Sequence, residues 1–298
     1  MMTPVDPPFC APPRPEPARP QAPAPAGACD THAHVFGPAA RYAYSPARGY
    51  TPPDAPLEAY LAMHAVLGIA RGVLVQPSVY GTDNRAILDA AARLPDRLRT
   101  VVAVDADVSD AELSRLDAAG ARGIRVNLAD KGGMPFDSLA EVERFARRLA
   151  PLGWHVELLV HVHEIDDMAA LFGRFPVDIV IGHLGYMPAA RGAGDPGFRA
   201  LLALMEGGRC WVKLTAPYRL TARRSLPYDD VAPLAAALIS ARPDRVLWGS
   251  DWPHPHIRTA TEMPDDGALF DQFAGWAGDE TTLRRILMEN PAQLYGFD

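Results

Sequence analysis

The chain has 298 residues, a formal net charge of −7 at pH 7 and a sequence pI near 5.7. This acidic balance lacks the clustered excess of Lys and Arg that a nucleic-acid backbone requires, so the composition argues against nucleic acid as a partner. Hydrophobic residues make up 48% of the chain, enough for a large core. No apolar run reaches the roughly 18 residues of a membrane span, and we expect no membrane partner.

The chain opens with a proline-rich segment, residues 1–26, which holds ten of the 30 prolines. Proline interleaved with Ala, Arg and Glu favours extended, solvated conformers and offers little apolar surface to bury. We therefore predict a disordered tail at residues 1–26 and one folded domain at residues 27–298.

From Gly27 onward, short apolar runs alternate with amphipathic helical patterns. The runs predict eight strands near 28–33, 71–76, 99–104, 122–128, 153–160, 178–182, 210–215 and 244–250. The helical patterns lie near 56–68, 82–93, 109–119, 138–149, 165–173, 197–206, 229–240 and 281–290. Eight strands that alternate with eight helices predict the α/β class and a single-domain (β/α)8 TIM barrel. A doubly wound sheet is the competing fold, but the glycine-rich dinucleotide fingerprint is missing after the first strand.

The first strand ends in Asp30-Thr31-His32-Ala33-His34. Because successive side chains of a strand alternate between its faces, His32 and His34 project to the same side, about 7 Å apart. Such a pair can hold one metal ion or polarise one carbonyl oxygen.

In a TIM barrel the chemistry lies at the C-terminal ends of the strands. The sixth predicted strand ends in Gly182-His183 and the eighth in Gly249-Ser250-Asp251. We therefore expect His32, His34, His183 and Asp251 to converge at the barrel mouth as catalytic residues.

Several motifs resemble the amidohydrolase superfamily, in its branch of 2-pyrone-4,6-dicarboxylate lactonase-like enzymes. The resemblance covers about residues 27–298. It is carried by Asp30-x-His32-x-His34-x-Phe36-Gly37-Pro38, Gln76-Pro77-Ser78, Gly123-Ile124-Arg125-x-Asn127, Gly182-His183-x-Gly185 and Trp248-Gly249-Ser250-Asp251-Trp252-Pro253. It implies a hydrolase that opens a carboxylated lactone, in which the eighth-strand Asp251 activates the attacking water.

The residue types suit this chemistry. Ester hydrolysis needs a base for the proton of water and a positive or hydrogen-bonding partner for the carbonyl oxygen. Asp251 suits the first role. His32, His34 and His183 suit the second, either as hydrogen-bond donors or by holding a metal.

The resemblance implies no cofactor, because the dicarboxylate lactonase pattern works without metal. Relatives that act on other lactones hold a single divalent ion, so one zinc at His32, His34 and Asp251 is the alternative. A binuclear site is not expected, because the fourth strand carries Arg125 and Asn127 where a bridging ligand would stand.

Positive side chains near the strand ends predict a small anionic lactone as the substrate. The predicted substrate-binding residues are Tyr50, Ser78, Arg125, Lys131 and Arg219. The sequence departs from the dicarboxylate lactonase pattern at Tyr186, where that pattern has an arginine, which leaves the identity of the lactone open.

Two other functions remain possible at this stage. One is a sugar-acid lactonase or lactone isomerase of the same branch, and the other is a non-catalytic binding protein on the same barrel. Cys10, Cys29 and Cys210 are odd in number and lack paired spacing, so a reducing compartment and a cytoplasmic location are expected. We expect a monomer or a small homo-oligomer.

Overall fold

The computed structural model describes residues 7–130, 135–136 and 138–297. It confirms the parallel eight-stranded barrel, in which the strands are hydrogen-bonded in chain order from β1 to β8. Each predicted strand end lies within two residues of the observed one. The strands are β1 (Cys29–Ala33), β2 (Arg71–Val75), β3 (Leu98–Val102), β4 (Ala121–Asn127), β5 (His155–Leu159), β6 (Ile179–Ile181), β7 (Cys210–Leu214) and β8 (Val246–Trp248).

The barrel is closed between β1 and the segment that follows β8. The Asp251 amide donates to the His32 carbonyl at 2.8 Å, and the His34 amide donates to the Trp252 carbonyl at 2.8 Å. These bonds place the end of the eighth strand directly beside the two histidines of the first.

The helices surround the strands, and the first seven lie within three residues of their predicted positions. The helices are α1 (Leu57–Leu67), α2 (Arg85–Ala91), α3 (Asp110–Ala118), α4 (Leu139–Leu149), α5 (Met168–Phe172), α6 (Pro196–Glu206), α7 (Ala232–Ala241), α8 (Asp266–Ala277), α9 (Glu280–Arg284) and α10 (Asn290–Tyr295).

Sequence reasoning missed helix α8, which completes the last strand-helix unit. The helix predicted at 281–290 is instead part of α9 and the π-helical turn at Arg285–Glu289. Gly267 and Gly275 lie within α8, and each glycine lowers helix propensity by up to about 1 kcal/mol, so the local pattern was weak. Packing of Phe270 and Phe273 against Trp248 stabilises the helix nonetheless.

Alternate residues of the strands face the inside of the barrel. A buried apolar cluster there includes Val73, Val101, Val180, Trp211 and Leu247. The opposite faces of the same strands pack under the helices in the main core. The interior is therefore a packed core, and charged side chains inside it are exceptional.

Residues 7–26 belong to the segment that the sequence predicts to be a disordered tail. They form no helix or strand, but the Cys10 amide donates to the Thr51 carbonyl at 2.9 Å and the Ala11 amide donates to the Ile257 carbonyl at 2.8 Å. Farther along, the Ala24 amide donates to the Leu67 carbonyl at 2.9 Å. This segment makes these contacts mainly through its backbone, and its predicted disorder stays a prediction. Residues 1–6 lie outside the described part of the chain.

The middle of the segment at residues 7–26 packs against helix α8. The Ala18 amide donates to the Asp265 carboxylate at 3.0 Å, and the Gln21 amide donates to the Asp271 carboxylate at 2.8 Å. A Cβ atom at Gly267 would lie 2.0 Å from the Ala18 carbonyl oxygen. Glycine at this position therefore permits the close approach of the segment to α8.

Deletion of residues 1–26 is expected to lower the thermal midpoint by roughly 5 °C, because several net hydrogen bonds of about 0.5–1.5 kcal/mol each are lost. Differential scanning calorimetry measures the shift. Phe9→Ala is the control, since the Phe9 side chain is 73% exposed and its removal leaves the backbone bonds in place. An unchanged midpoint in the deletion variant would show that the segment does not dock in solution.

No helix among the described residues is long and apolar enough to cross a membrane.

Candidate active site

The structure brings His32, His34, His183 and Asp251 together at the C-terminal ends of β1, β6 and β8. The ring centroids of His32 and His34 are 5.1 Å apart, and those of His32 and His183 are 4.9 Å apart. Oδ1 of Asp251 lies 3.4 Å from Nε2 of His32 and 3.5 Å from Nε2 of His34. All four side chains are buried.

Close backbone packing between β8 and β1 makes this convergence possible. A Cβ atom at Gly249 would lie 2.6 Å from the backbone nitrogen and from Cβ of His32. Asp30 adds a polar link, because its carboxylate accepts the Ser250 amide at 2.9 Å and the Ser250 hydroxyl at 2.6 Å. His64, from α1, lies 3.4 Å from the same carboxylate. Asp30, Ser250 and His64 thus form a buried polar cluster that links the end of β8 to β1.

Hydrogen bonding fixes the proton of His34. Its Nδ1 lies 2.8 Å from the Val75 carbonyl, which can only accept, so Nδ1 carries the proton. Burial lowers the pKa of His34 to about 4, so the ring is neutral near pH 7. Nε2 of His34 is therefore an acceptor that faces Asp251.

His183 is also neutral, because burial holds its pKa well below the usual range. Its Nδ1 lies 2.5 Å from the Thr215 hydroxyl oxygen. Its Nε2 has no hydrogen-bond partner among the described residues, and neither does Nε2 of His32 or Oδ1 of Asp251.

These atoms fit a divalent cation. Ligand atoms of His32, His183 and Asp251 lie within 4.8 Å of one another. The predicted metal set contained His34 in place of His183. Imidazole nitrogen and carboxylate oxygen are ordinary zinc ligands. Nε2 of His32, Nε2 of His183 and Oδ1 of Asp251 are buried without a hydrogen-bond partner among the described residues, and a cation between them would satisfy all three atoms.

The other carboxylate oxygen of Asp251, Oδ2, contacts two residues that follow β7. Oδ2 accepts the Tyr218 hydroxyl at 2.5 Å and lies 3.6 Å from Nε of Arg219. Burial opposes the charged form of Asp251, but the electrostatic effects of His183 and then of Arg219 outweigh it and hold the pKa of Asp251 well below its usual range. Asp251 is therefore ionised, with Oδ1 directed to the histidines.

Arg125 lies where the sequence placed it, on β4 and inside the barrel mouth. It is 5% exposed, and its Nη1 donates to the Gln76 carbonyl at 2.9 Å. Its Nε has no hydrogen-bond partner among the described residues. Part of the guanidinium fork therefore has no hydrogen-bond partner in the described part of the chain.

Arg219 has more neighbours than the sequence indicated. Its Nη1 donates to the Tyr186 hydroxyl at 2.5 Å and lies 3.6 Å from the Asp130 carboxylate. Together with its approach to Asp251, these contacts compensate much of its charge. The substrate-binding role of Arg219 stays a prediction.

The remaining predicted substrate residues differ in position. Tyr50 is buried in the loop after β1, with its ring 4.5 Å from that of His256, and Arg125 and Asp251 are among its electrostatic neighbours. Ser78 is buried at the end of β2. Lys131 lies outside the described residues.

Sequence reasoning assigned no role to three residues beside the site. Tyr218 is the hydrogen-bond donor to Asp251, and Glu157 and Lys213 lie inside the barrel next to His32. A usable signal existed for two of them. Glu157 and Lys213 are charged residues within largely apolar strands.

A family model described as amidohydrolase matches residues 29–297. The chain is 38% identical to a 4-sulfomuconolactone hydrolase of Hydrogenophaga intermedia, over 91% of this chain and 89% of that protein. It is also 38% identical to a 2-pyrone-4,6-dicarboxylate hydrolase of Comamonas testosteroni, over 94% and 93% of the two chains.

Among solved structures, a putative 2-pyrone-4,6-dicarboxylic acid hydrolase from Pseudomonas putida matches with a TM-score of 0.78 and 36% identity. The match covers 91% of this chain and 98% of that one. The resemblance inferred from the motifs is thereby confirmed.

Proposed function

Since the chain belongs to the amidohydrolase family, we propose that it is a hydrolase that opens a carboxylated lactone with a water molecule deprotonated by Asp251. The observation that carries this proposal is the ionised, buried Asp251 with Oδ1 facing His32 and His34 at the barrel mouth. The relatives named above act on lactones that carry anionic groups, which agrees with the buried cation Arg125.

In the proposed reaction, the water oxygen forms a bond to the lactone carbonyl carbon while its proton passes to Oδ1 of Asp251. The ring C–O bond then breaks, and the ring oxygen leaves with the proton from Asp251. Tyr218 and Arg219 hold Oδ2, so Oδ1 is the oxygen free to exchange the proton. Arg125 binds an anionic group and fixes the ring in place.

We further propose that the site uses one divalent cation, held by His32 and His183 with Asp251 and His34 beside it, so that Oδ1 of Asp251 stays free to take the proton. A bound divalent ion would polarise the carbonyl and lower the pKa of water. Two features support this choice over hydrolysis without metal. His34 is neutral with its proton on Nδ1, so Nε2 cannot donate to a carbonyl oxygen. Asp251 is also a weak base, because its pKa is low. It would deprotonate water more readily if a cation had lowered the pKa of that water.

Cys10, Cys29 and Cys210 are all unpaired in the structure, and we propose a reducing, cytoplasmic location on that basis.

A lactone screen with metal control tests both proposals. Purified protein is assayed on 2-pyrone-4,6-dicarboxylate, 4-sulfomuconolactone and a neutral aldonolactone, before and after treatment with a chelator. We expect the anionic lactones to open, activity to disappear with the chelator, and one equivalent of zinc to restore it. Full activity in protein shown by elemental analysis to be metal-free would refute the cation. No turnover of either anionic lactone by the metal-loaded protein would refute the proposed substrate class.

A further inference from the structure

Glu157 on β5 and Lys213 on β7 form an ion pair in the barrel interior. Nζ of Lys213 lies 2.6 Å from Oε2 of Glu157, and both side chains are 0% exposed. Nζ also donates to the Thr31 carbonyl at 2.7 Å. No step of the proposed reaction uses either residue.

The position of this pair is unusual for its surroundings. Neighbouring inward-facing residues on other strands, such as Val73, Val101 and Val180, are apolar. Removing two charges from water costs several kcal/mol per ion, and a hydrophobic pair of similar volume is often as stable. A role beyond packing would explain why charged residues occupy the centre of this barrel.

The pair touches one catalytic candidate. Nδ1 of His32 lies 3.1 Å from Oε1 of Glu157 and 3.3 Å from Nζ of Lys213. Nδ1 can therefore donate to Glu157 or accept from Lys213, depending on where the ring proton lies.

The partners of the two charged groups decide between these arrangements. Lys213 already has two shorter contacts, to Thr31 and to Oε2 of Glu157. Oε1 of Glu157 has no other hydrogen-bond partner among the described residues. A proton on Nδ1 of His32 gives Oε1 a donor, whereas a lone pair there would leave a buried carboxylate oxygen unsatisfied, a loss of about 1–3 kcal/mol or more.

We propose that Glu157 and Lys213 are positioning residues for His32: Glu157 accepts the ring proton of Nδ1 in a hydrogen bond, and Lys213 holds the Glu157 carboxylate in position. Nε2 of His32 then presents a lone pair toward Asp251 and His183. The inference rests on the proposed function for its catalytic meaning, but the position of the proton can be measured without any substrate.

A Glu157→Gln variant tests the proton position. Lys213 still needs an acceptor, so the new amide oxygen turns to Lys213 and the amide NH2 faces His32. Nδ1 must then accept, and the ring proton moves to Nε2. Nitrogen-15 NMR of labelled histidine distinguishes the two tautomers, with His32 signals assigned through His32→Asn. His34 is an internal control, because the Val75 carbonyl fixes its proton in every variant.

A Glu157→Leu/Lys213→Met double variant separates positioning from structural support. It leaves no uncompensated charge in the barrel, so we expect a thermal midpoint close to wild type. We also expect kcat to remain tenfold to a hundredfold below wild type, as for other residues that orient a catalytic or metal-binding histidine, with a smaller change in KM. Recovery of kcat together with stability would overturn the proposal.

The NMR measurement tests this inference independently of the proposed lactone hydrolysis. Should the wild-type protein open no lactone, the proposed function fails, and the tautomer of His32 still decides the inference. An Nδ1 proton in wild type that moves to Nε2 in Glu157→Gln supports the positioning pair. An Nε2 proton in wild type, or the same tautomer in both proteins, overturns it.

Discussion

Asp251→Asn is expected to lower kcat by about 10²- to 10⁴-fold while leaving the thermal midpoint close to that of the wild type. The amide has the shape of the carboxylate but cannot take a proton from water near neutral pH. Its oxygen can still accept the Tyr218 hydroxyl, and its NH2 group can donate to the histidine Nε2 atoms that now face Oδ1. The fold therefore has no reason to change.

Steady-state kinetics on an anionic lactone and a thermal melt of the same sample measure both outcomes. Asp89→Asn is the matched control, because Asp89 is a half-exposed carboxylate on α2 whose partners are Arg41 and the Tyr42 hydroxyl. A variant at Asp251 that keeps a tenth of wild-type turnover would exclude this residue as the general base.

Arg125→Met is expected to lower kcat/KM by tenfold to a hundredfold or more on a dicarboxylated lactone. Met keeps much of the apolar stem and removes the guanidinium fork, and a buried charge-assisted hydrogen bond contributes about 1.5–3 kcal/mol. A neutral aldonolactone has no anionic group for Arg125 to bind, so its kcat/KM is expected to change less than about threefold.

Arg219→Met provides the comparison for this experiment. Arg219 lies beside Asp251 and Tyr186, so its loss is expected to reduce kcat on anionic and neutral lactones to a similar degree. Equal losses of kcat/KM on both substrates for Arg125→Met would mean that Arg125 supports the barrel and does not bind the anionic group of the substrate.

The fold and the residues at the centre of the site could be predicted from the sequence for the same reason. Strands buried on both faces give continuous apolar runs, and in a parallel barrel all their C-terminal ends meet at one mouth. Knowing where β1, β6 and β8 end was therefore enough to expect His32, His183 and Asp251 close together.

Other features depend on contacts between residues distant in the chain, and local patterns do not contain them. Arg219 looked like a free cation until the structure placed Asp130 and Asp251 beside it. Glu157 and Lys213 are separated by 56 positions, and neither strand alone reveals that they pair. The N-terminal segment makes its hydrogen bonds to the barrel largely with backbone atoms, which composition does not report.

Seven described non-glycine residues have positive φ angles, and all seven follow the last three strands at the mouth: His183, Leu184, Tyr186, Ala216, Asp251, His254 and His256. A left-handed conformation disfavours an L residue by roughly 1–2 kcal/mol, so this end of the barrel is held in shape by the rest of the molecule. The β6–β8 loops are therefore expected to tolerate fewer destabilising mutations than the rest of the fold. Attempts to redirect substrate preference through the β6–β8 loops start from a region with little tolerance for further destabilisation, and they are best begun from a variant whose helices and opposite barrel face have first been stabilised.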